Sequence, residues 1–238
     1  MDKLPLFYDA DMLHNYNIRH YINWWLTQAA HMLLVGPTGS GKTFGLKIVM
    51  ARIGLYLPDA KIWLCDFKND DFRGFMADNR RYFGFTNCAT GLNEFYQAFE
   101  ARQQGKDDSR SSLFLCFDEW ASFLTMLDKK EAEDAKQKLS TLLMLGRSYN
   151  VHVLISQQRA DAEYFSKARD NFSAVVAMGI ITKESAAMFG FDRSEMKPVK
   201  GVGMGHMLVH GTELYSIQVP IVRDTEKLDR AILHAISR

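Results

Sequence analysis

Residues 36–43 read Gly-Pro-Thr-Gly-Ser-Gly-Lys-Thr, a glycine-rich stretch that ends in lysine and threonine. It follows an apolar run at residues 31–35 and precedes a helix-like run that begins at Lys42. A glycine-rich turn between a strand and a helix directs successive backbone N–H groups inward, where phosphate oxygens accept them and the helix dipole favours negative charge. The stretch therefore predicts a P-loop that binds the phosphates of a nucleotide.

The whole loop and the residue after it are the predicted nucleotide-binding residues. They are Gly36, Pro37, Thr38, Gly39, Ser40, Gly41, Lys42, Thr43 and Phe44. In such a loop the lysine, here Lys42, reaches the β- and γ-phosphates, and the hydroxyl of Thr43 is placed to ligate Mg²⁺. ATP and Mg²⁺ are the cofactors that this chemistry indicates.

A second apolar run, residues 113–117, ends in the adjacent acids Asp118 and Glu119. This arrangement is typical of a Walker B element, in which one acid holds the metal and the next activates water. We expect Asp118 to hold Mg²⁺ together with Thr43, and Glu119 to orient and deprotonate the attacking water. The presence of Glu119 favours hydrolysis of ATP over binding alone.

A third apolar run, residues 151–156, leads into Gln157, Gln158 and Arg159. Amides at the carboxyl end of a strand beside the P-loop strand are suited to sense the γ-phosphate or to hold the lytic water. An ordinary polar strand end explains the same residues equally well. The sequence alone leaves both interpretations open.

Strand-like and helical patterns alternate along most of the sequence, which predicts an α/β fold with a mainly parallel sheet between helices. The strands are predicted at residues 31–35, 61–65, 112–118, 151–156 and 174–178. Helices are predicted to start near Lys42, Gly91, Lys129 and Thr182. Residues 203–209 and 213–219 flank a turn signal and predict a C-terminal β-hairpin, followed by an amphipathic helix at residues 225–237.

The length and composition are those of one globular unit. A chain of 238 residues, 47% of them hydrophobic and 24% charged, is long enough for one sizeable core and short for two. We expect residues 31–238 to form the nucleotide-hydrolysing domain and residues 1–30 to be a lead-in that packs beside the nucleotide site. The aromatic stretch at residues 21–25 fits a plain core role equally well.

Two further features of the sequence predict a cytoplasmic protein. No apolar run is long enough to cross a bilayer, and the N-terminus does not have the layout of a signal peptide. Cys65 and Cys116 lie in apolar runs and Cys88 lies in a loop-like stretch, without metal-ligand spacing. All three are expected to be buried, reduced thiols.

Four segments stand in a fixed order along the chain: HMLLVGPTGSGKTFGLKIVM, KIWLCDFKN, LFLCFDEW and LLMLGRSYNVHVLISQQR. Their order and spacing resemble the motor domain of the FtsK/SpoIIIE translocases, within the HerA/FtsK superfamily of P-loop ATPases. The likeness extends over about residues 30–220. The last segment is its most specific part and places Gln158 at the family's sensing glutamine. The triplet Asp66-Phe67-Lys68 also resembles the family's aspartate-x-lysine strand end.

The resemblance implies a RecA-like P-loop NTPase fold and a hexameric ring with ATP sites between the subunits. It also implies double-stranded DNA as the partner, held in the central channel of the ring. The catalytic residues are then Lys42, Glu119 and Gln158, together with an arginine from the neighbouring subunit.

The identity of that arginine is open, because this chain has Ala174 where family members commonly carry one. Lys42 and Mg²⁺ leave part of the charge on the transferring phosphoryl group uncompensated, and an arginine finger usually supplies the remainder. Arg147 matches the family's glycine-arginine pair and is the first choice. Arg169 is the second choice for the arginine finger, and Arg159 is to be considered if both fail. A helix-end arginine that interacts with the last carbonyl groups is the alternative role for the first two.

The function favoured by the resemblance is DNA translocation. The membrane-spanning and winged-helix regions of the chromosome-segregating members are not among these residues, so a compact motor for conjugative transfer or viral genome packaging fits better. Relaxase, capsid or membrane partners would then be reached through other proteins.

A net charge of +1 gives no overall attraction for DNA, so contacts must come from local patches summed over subunits. The candidates are Arg73, Arg80, Arg81, Lys197 and Lys200.

Two other functions also fit the sequence. Related domains move proteins in secretion systems, and nothing in these residues excludes a polypeptide cargo. The other alternative is a nucleotide-dependent scaffold that binds ATP to hold partners together, although Glu119 speaks against it. Stimulation of ATP hydrolysis by DNA would separate a DNA motor from a protein motor, and phosphate release would separate either from a scaffold.

Overall fold

Within residues 3–76, 80–158 and 162–238, which a computed structural model describes, the chain forms a ten-stranded sheet with helices on both faces. The strands are β1 (Lys3–Asp9), β2 (Tyr21–Trp25), β3 (Met32–Val35), β4 (Lys61–Asp66), β5 (Tyr82–Gly84), β6 (Leu113–Asp118), β7 (Val151–Gln157), β8 (Ala174–Met178), β9 (Met204–Val209) and β10 (Glu213–Gln218). The α-helices are α1 (Ala10–Tyr16), α2 (Lys42–Tyr56), α3 (Cys88–Gln103), α4 (Trp120–Met126), α5 (Lys129–Leu145), α6 (Lys183–Met188) and α7 (Thr225–Ser237).

The strand order is β2-β1-β10-β9-β8-β3-β7-β6-β4-β5. Strands β8, β3, β7, β6, β4 and β5 run parallel, whereas β9, β10, β1 and β2 join by antiparallel pairing. Strand β3 lies between β8 and β7, and the chain that leaves it enters the P-loop. Because the carboxyl ends of parallel strands meet at one edge, the P-loop and the ends of β4, β6 and β7 share that edge.

Two hydrophobic layers cover the sheet. Leu46 and Ile53 of α2 lie in the same buried cluster as Ile232 of α7, on one face. On the other face α3 and α5 contribute Phe95 and Leu139 to a second cluster. Strands β3, β6, β7 and β8 are consequently buried at every residue, as expected when helices cover both faces. None of the described helices is long and apolar enough to cross a membrane.

The predicted α/β fold, with its mainly parallel sheet and C-terminal hairpin, is confirmed. All five predicted strands form and end within one residue of the predicted bounds, and the last helix, Thr225–Ser237, has the predicted bounds.

The loop assigned around Cys88 is wrong, because α3 begins at Cys88 instead of near Gly91. The polar residues before Cys88 suggested a loop, yet its buried thiol donates to the carbonyl of Phe83 at 3.3 Å. As expected, Cys65, Cys88 and Cys116 are buried free thiols.

The N-terminal residues extend the sheet. Strand β1 pairs with β10, and β2 pairs with β1 at the edge. Trp24 of β2 is buried in the same cluster as α2 and α7, whereas Trp25 is largely exposed. Phe7 of β1 is also buried in that cluster, which includes residues of the P-loop helix. The domain boundary placed at residue 30 stays a prediction.

Candidate nucleotide-binding site

The P-loop makes the turn between β3 and α2, and its glycines are required by the backbone. Gly39 and Gly41 have φ values of 80° and 91°, in the left-handed region that favours glycine. A Cβ atom at Gly36 would lie 2.5 Å from the carbonyl oxygen of Met178, so a side chain does not fit there. These glycines let the chain turn tightly into the start of α2, where the backbone N–H groups and the helix dipole favour an anion.

The chain just before β9 packs against the P-loop. The backbone N–H of Gly203 donates to the carbonyl of Ser40 at 2.9 Å, and that of Val219 donates to the carbonyl of Gly203 at 2.8 Å. A Cβ atom at Gly41 would lie 2.9 Å from the Gly203 nitrogen. The C-terminal hairpin therefore supports the P-loop from the side opposite β7, through contacts that only small residues permit.

Asp118 ends β6 and is fully buried. Neither of its carboxylate oxygens has a hydrogen-bond partner within the described ranges, although the hydroxyl of Ser156 lies close by on the paired residue of β7. Burial raises the pKa of Asp118 to about 6, against the opposing effect of the Lys42 charge. A buried carboxylate without partners is costly unless a cation meets it, so this side chain is suited to a metal.

Glu119 adopts a left-handed backbone conformation, with φ 61° and ψ 49°, directly after β6. Its Oε1 atom accepts hydrogen bonds from two lysines: Lys42 Nζ at 3.1 Å and Lys68 Nζ at 2.8 Å. Burial alone would raise the pKa of Glu119, but the two lysines outweigh it and lower that pKa. Two lysines, one of them the P-loop lysine Lys42, therefore favour the ionised form of the buried Glu119 carboxylate.

Thr43 and Asp118 are the residues that could hold Mg²⁺. Thr43 is the second residue of α2, and its hydroxyl donates to Oδ2 of Asp71 at 3.2 Å. The described residues contain no cluster of three or more acidic, histidine or cysteine side chains that would hold a metal alone. Mg²⁺ typically needs only one or two protein oxygens because phosphates and water complete its shell, and there it would neutralise phosphate charge. The pair therefore fits this metal.

The other predicted site residues lie around the same edge. Phe44 is partly buried against the cluster that contains α2 and α7. Gln157 is the buried last residue of β7 and its carbonyl accepts from the N–H of Gly36 at 3.3 Å. Gln158 directly follows β7, the strand next to the P-loop strand, and is exposed. Arg159 lies outside the described residues. The sensing role of Gln158 stays a prediction.

Two of the candidate arginines, Arg147 and Arg169, lie at the opposite edge of the sheet. Arg147 is exposed in the short 3-10 helix Gly146–Tyr149, which precedes β7. Arg169 precedes β8 in the 3-10 helix Ser166–Asn171, with its Nε 3.3 Å from a carboxylate oxygen of Asp170. A strand of seven residues, the length of β7, spans roughly 20 Å. Neither arginine reaches the P-loop of its own subunit.

The fold and the site together define a RecA-like P-loop ATPase. Within that class the chain is similar to FtsK-type ATPase domains, which confirms the resemblance seen in its motifs. It is 28% identical over 220 residues to the FtsK domain-containing protein YdcQ of Bacillus subtilis, covering 85% of this chain and 45% of YdcQ. No protein-family model matches the chain.

Two solved structures illustrate the shared fold. The monomer of the pCW3 conjugation coupling protein TcpA, with ATPγS, has a TM-score of 0.70 and 18% identity, over 90% of this chain and 67% of TcpA. EssC (ATPases 2 and 3) from Geobacillus thermodenitrificans has a TM-score of 0.72 and 13% identity, over 98% of this chain and 48% of EssC. At such identities the likeness establishes the fold. The chain spans less than half the length of YdcQ and of the EssC structure.

Lys68 and Asp71 are site residues to which the sequence motifs gave no role. Lys68 was recognised only as part of the Asp66-Phe67-Lys68 triplet at a strand end. The strand pairing identifies Lys68. Strand β4 pairs with β6, with Asp66 opposite Asp118, so residues just after β4 lie beside Glu119. Sequence spacing does not reveal this pairing, because 51 positions separate Lys68 from Glu119.

We expect Lys42→Ala and Glu119→Gln to have different defects. Lys42→Ala removes a phosphate contact and should abolish tight ATP binding, whereas Glu119→Gln should retain binding and lower hydrolysis by about 10²- to 10⁴-fold. Equilibrium binding of labelled ATPγS and steady-state phosphate release measure the two effects. Lys130→Gln, at an exposed position of α5, is the control. Equal nucleotide affinity in both variants, or normal turnover by Glu119→Gln, would contradict the assigned roles.

Proposed function

We propose that this protein is an ATP-driven motor that moves double-stranded DNA, with Mg²⁺ held by Thr43 and Asp118. The observation that carries the proposal is the 3.1 Å contact between Lys42 and Glu119. It joins the phosphate-binding lysine to an ionised base, so a nucleotide in the P-loop has its terminal phosphate close to the group that activates water. Such a site is suited to turnover, which disfavours a scaffold that only binds ATP.

A hexameric ring with ATP sites between subunits is part of the proposal. Arg147 and Arg169 lie at the edge of the sheet opposite the P-loop, so a contribution from either must come from another subunit. An arginine next to the transferring phosphoryl group supplies charge that Lys42 and a divalent ion leave uncompensated. Arg147 is the first choice because it is exposed, whereas Arg169 is already 3.3 Å from Asp170.

Double-stranded DNA is the proposed cargo because the chain is similar to TcpA, described as a conjugation coupling protein. Conjugation transfers DNA, and a compact motor for conjugative transfer or for packaging a viral genome fits that likeness. A cytoplasmic location remains part of the proposal. Relaxase or capsid proteins are the partners that such a role implies.

The basic residues suggested for DNA contact differ in their availability. Arg73, Arg80 and Lys200 are exposed. Arg81 donates to the backbone carbonyl of Arg238, and its guanidinium lies over the ring of Trp63, so this side chain is engaged within the protein. Lys197 is 2.7 Å from a carboxylate oxygen of Asp11. Six copies around a channel would sum the weak attractions of such exposed cations.

A polypeptide cargo is the second candidate function. The similarity to EssC (ATPases 2 and 3) over nearly the whole chain favours it. A related ATPase, Thermomonospora curvata EccC, has been solved in complex with a signal sequence peptide. The two cargoes differ in charge, since DNA presents a regular array of phosphates and a polypeptide does not. Measurements with duplex DNA therefore separate them.

We expect duplex DNA of any sequence to stimulate ATP hydrolysis. A motor that moves along any duplex must grip phosphates rather than base edges, so binding should weaken by about two orders of magnitude between roughly 50 and 200 mM salt. It should also strengthen when ATP assembles the ring. Phosphate release with and without duplexes of unrelated sequence, and fluorescence anisotropy across a salt series, measure these effects. No stimulation by DNA together with stimulation by a polypeptide would favour the second candidate, and salt-independent or sequence-specific binding would contradict the motor.

We expect an arginine at the interface to act on the neighbouring site. If the subunits of a ring fire in a coupled way, mixed rings of wild-type and Arg147→Ala subunits should lose ATPase activity faster than the wild-type fraction falls, because each altered subunit disables its neighbour's site and thereby stalls the whole ring. Arg147→Ala should still bind ATP and assemble. The matched experiment with Arg169→Ala tests the second choice. A linear decline for both variants, or normal hydrolysis by Arg147→Ala alone, would show that another residue acts, such as Arg159.

A further inference from the structure

The segment after β4, residues 67–72, which we call the β4 loop, touches two residues of the nucleotide site. Lys68 Nζ lies 2.8 Å from Oε1 of Glu119, and Oδ2 of Asp71 accepts from the hydroxyl of Thr43 at 3.2 Å. The Lys68 contact is shorter than the 3.1 Å contact from Lys42 to the same oxygen. The β4 loop, which lies outside the P-loop, therefore contacts the proposed catalytic base, Glu119, directly.

The β4 loop is held in a fixed conformation by the buried carboxylate of Asp66. That carboxylate accepts hydrogen bonds from the N–H groups of Asn69 and Phe72 at 3.0 and 3.4 Å, and from the hydroxyl of Tyr82 at 2.9 Å. The ring of Phe67 packs on those of Phe85 and Phe123, with centroids 5.5 and 6.1 Å away. Lys68 thus stands between two anchored positions, which fixes where its side chain begins.

The Glu119 side chain needs a cation. Only 2% of it is exposed, and a buried carboxylate without a positively charged partner is strongly unfavourable. Its backbone has little freedom to adjust, because the residue is left-handed, its N–H donates to the Ser156 carbonyl at 2.6 Å, and Trp120 beside it is buried. Such local strain is retained where surrounding structure fixes a functional geometry.

The two lysines that contact Glu119 differ in whether a bound nucleotide would compete for them. Lys42 belongs to the P-loop, so phosphates compete with Glu119 for its ammonium group. Lys68 lies outside the P-loop and its side chain is 39% exposed, at the rim of the site. When the phosphates of a nucleotide bind the ammonium group of Lys42, Lys68 is the lysine that remains paired with Glu119.

We propose that Lys68 is a positioning residue that keeps the Glu119 carboxylate in place for water activation once a nucleotide has drawn Lys42 to its phosphates. The proposal rests on the proposed function, ATP hydrolysis by this site. Lys68 contacts neither phosphate nor water in this role and acts only through Glu119. Because it compensates Glu119 in the nucleotide-bound state, it contributes to nucleotide affinity as well as to turnover.

The test is a double-mutant cycle on nucleotide binding, with ATPγS and Mg²⁺ as the probe. Lys68→Met should weaken ATPγS binding about tenfold where Glu119 is present. Once Lys42 binds the phosphates, the buried Glu119 carboxylate would be left without a positively charged partner. In the Glu119→Gln background the same substitution should have almost no effect, since a neutral amide needs no cation. A merely structural role for Lys68 would weaken binding equally in both backgrounds, and that result would overturn the proposal.

Hydrolysis gives a second, independent readout. Lys68→Met should lower kcat by about tenfold to a hundredfold through misplacement of Glu119, and Lys68→Arg should restore most of it because the cation is retained. Lys130→Met, at an exposed position of α5, is the matched control. Normal turnover by Lys68→Met, or no rescue by Lys68→Arg, would overturn the positioning role while wild-type hydrolysis still supports the proposed function. A wild-type protein that does not hydrolyse ATP would instead overturn the proposed function, and the positioning role with it.

Discussion

The site depends on one interaction, the pairing of the buried Glu119 carboxylate with two lysine side chains. One of those lysines belongs to the P-loop and the other to the β4 loop, so a single oxygen, Oε1, joins the phosphate cradle to a segment that follows a different strand. The desolvation cost of a buried carboxylate makes this pairing obligatory. In the proposed function it also links nucleotide binding to Glu119, because phosphate and Glu119 would compete for Lys42.

The topology of the sheet makes this interaction possible. Parallel strands β4, β6, β7 and β3 lie side by side, so loops from distant parts of the sequence meet at one edge. Asp66, Asp118 and Ser156 stand in register across three of these strands, and the P-loop follows the fourth. The opposite edge carries Arg147 and Arg169, which gives the molecule two faces with different chemistry. A ring that apposes such faces of neighbouring subunits would complete each site from outside.

The sequence predicted five of the parallel strands and the hairpin, and it indicated the candidate site residues, because these signals are local. The P-loop pattern, the apolar run ending in Asp118 and Glu119, and the alternation of patterns each occupy a few consecutive residues. It missed β1, β2, β5, α1 and α4, and it placed Cys88 in a loop because the residues around it are polar. The roles of Lys68 and Asp71 depend on strand pairing and loop conformation, which residue spacing does not encode. The FtsK-type resemblance identified the triplet that contains Lys68 without indicating what the lysine touches.

A crystal structure of the protein with ATPγS and Mg²⁺ would test the pairing of Glu119 with the two lysines. We expect Lys42 Nζ to lie on the phosphates, away from Glu119, while Lys68 Nζ remains within hydrogen-bond distance of Glu119 Oε1. We also expect the hydroxyl of Thr43 to turn from Asp71 to the metal. A bound nucleotide with Lys42 still paired to Glu119, or with Lys68 turned away from that carboxylate, would show that Lys68 does not replace Lys42 as the partner of Glu119.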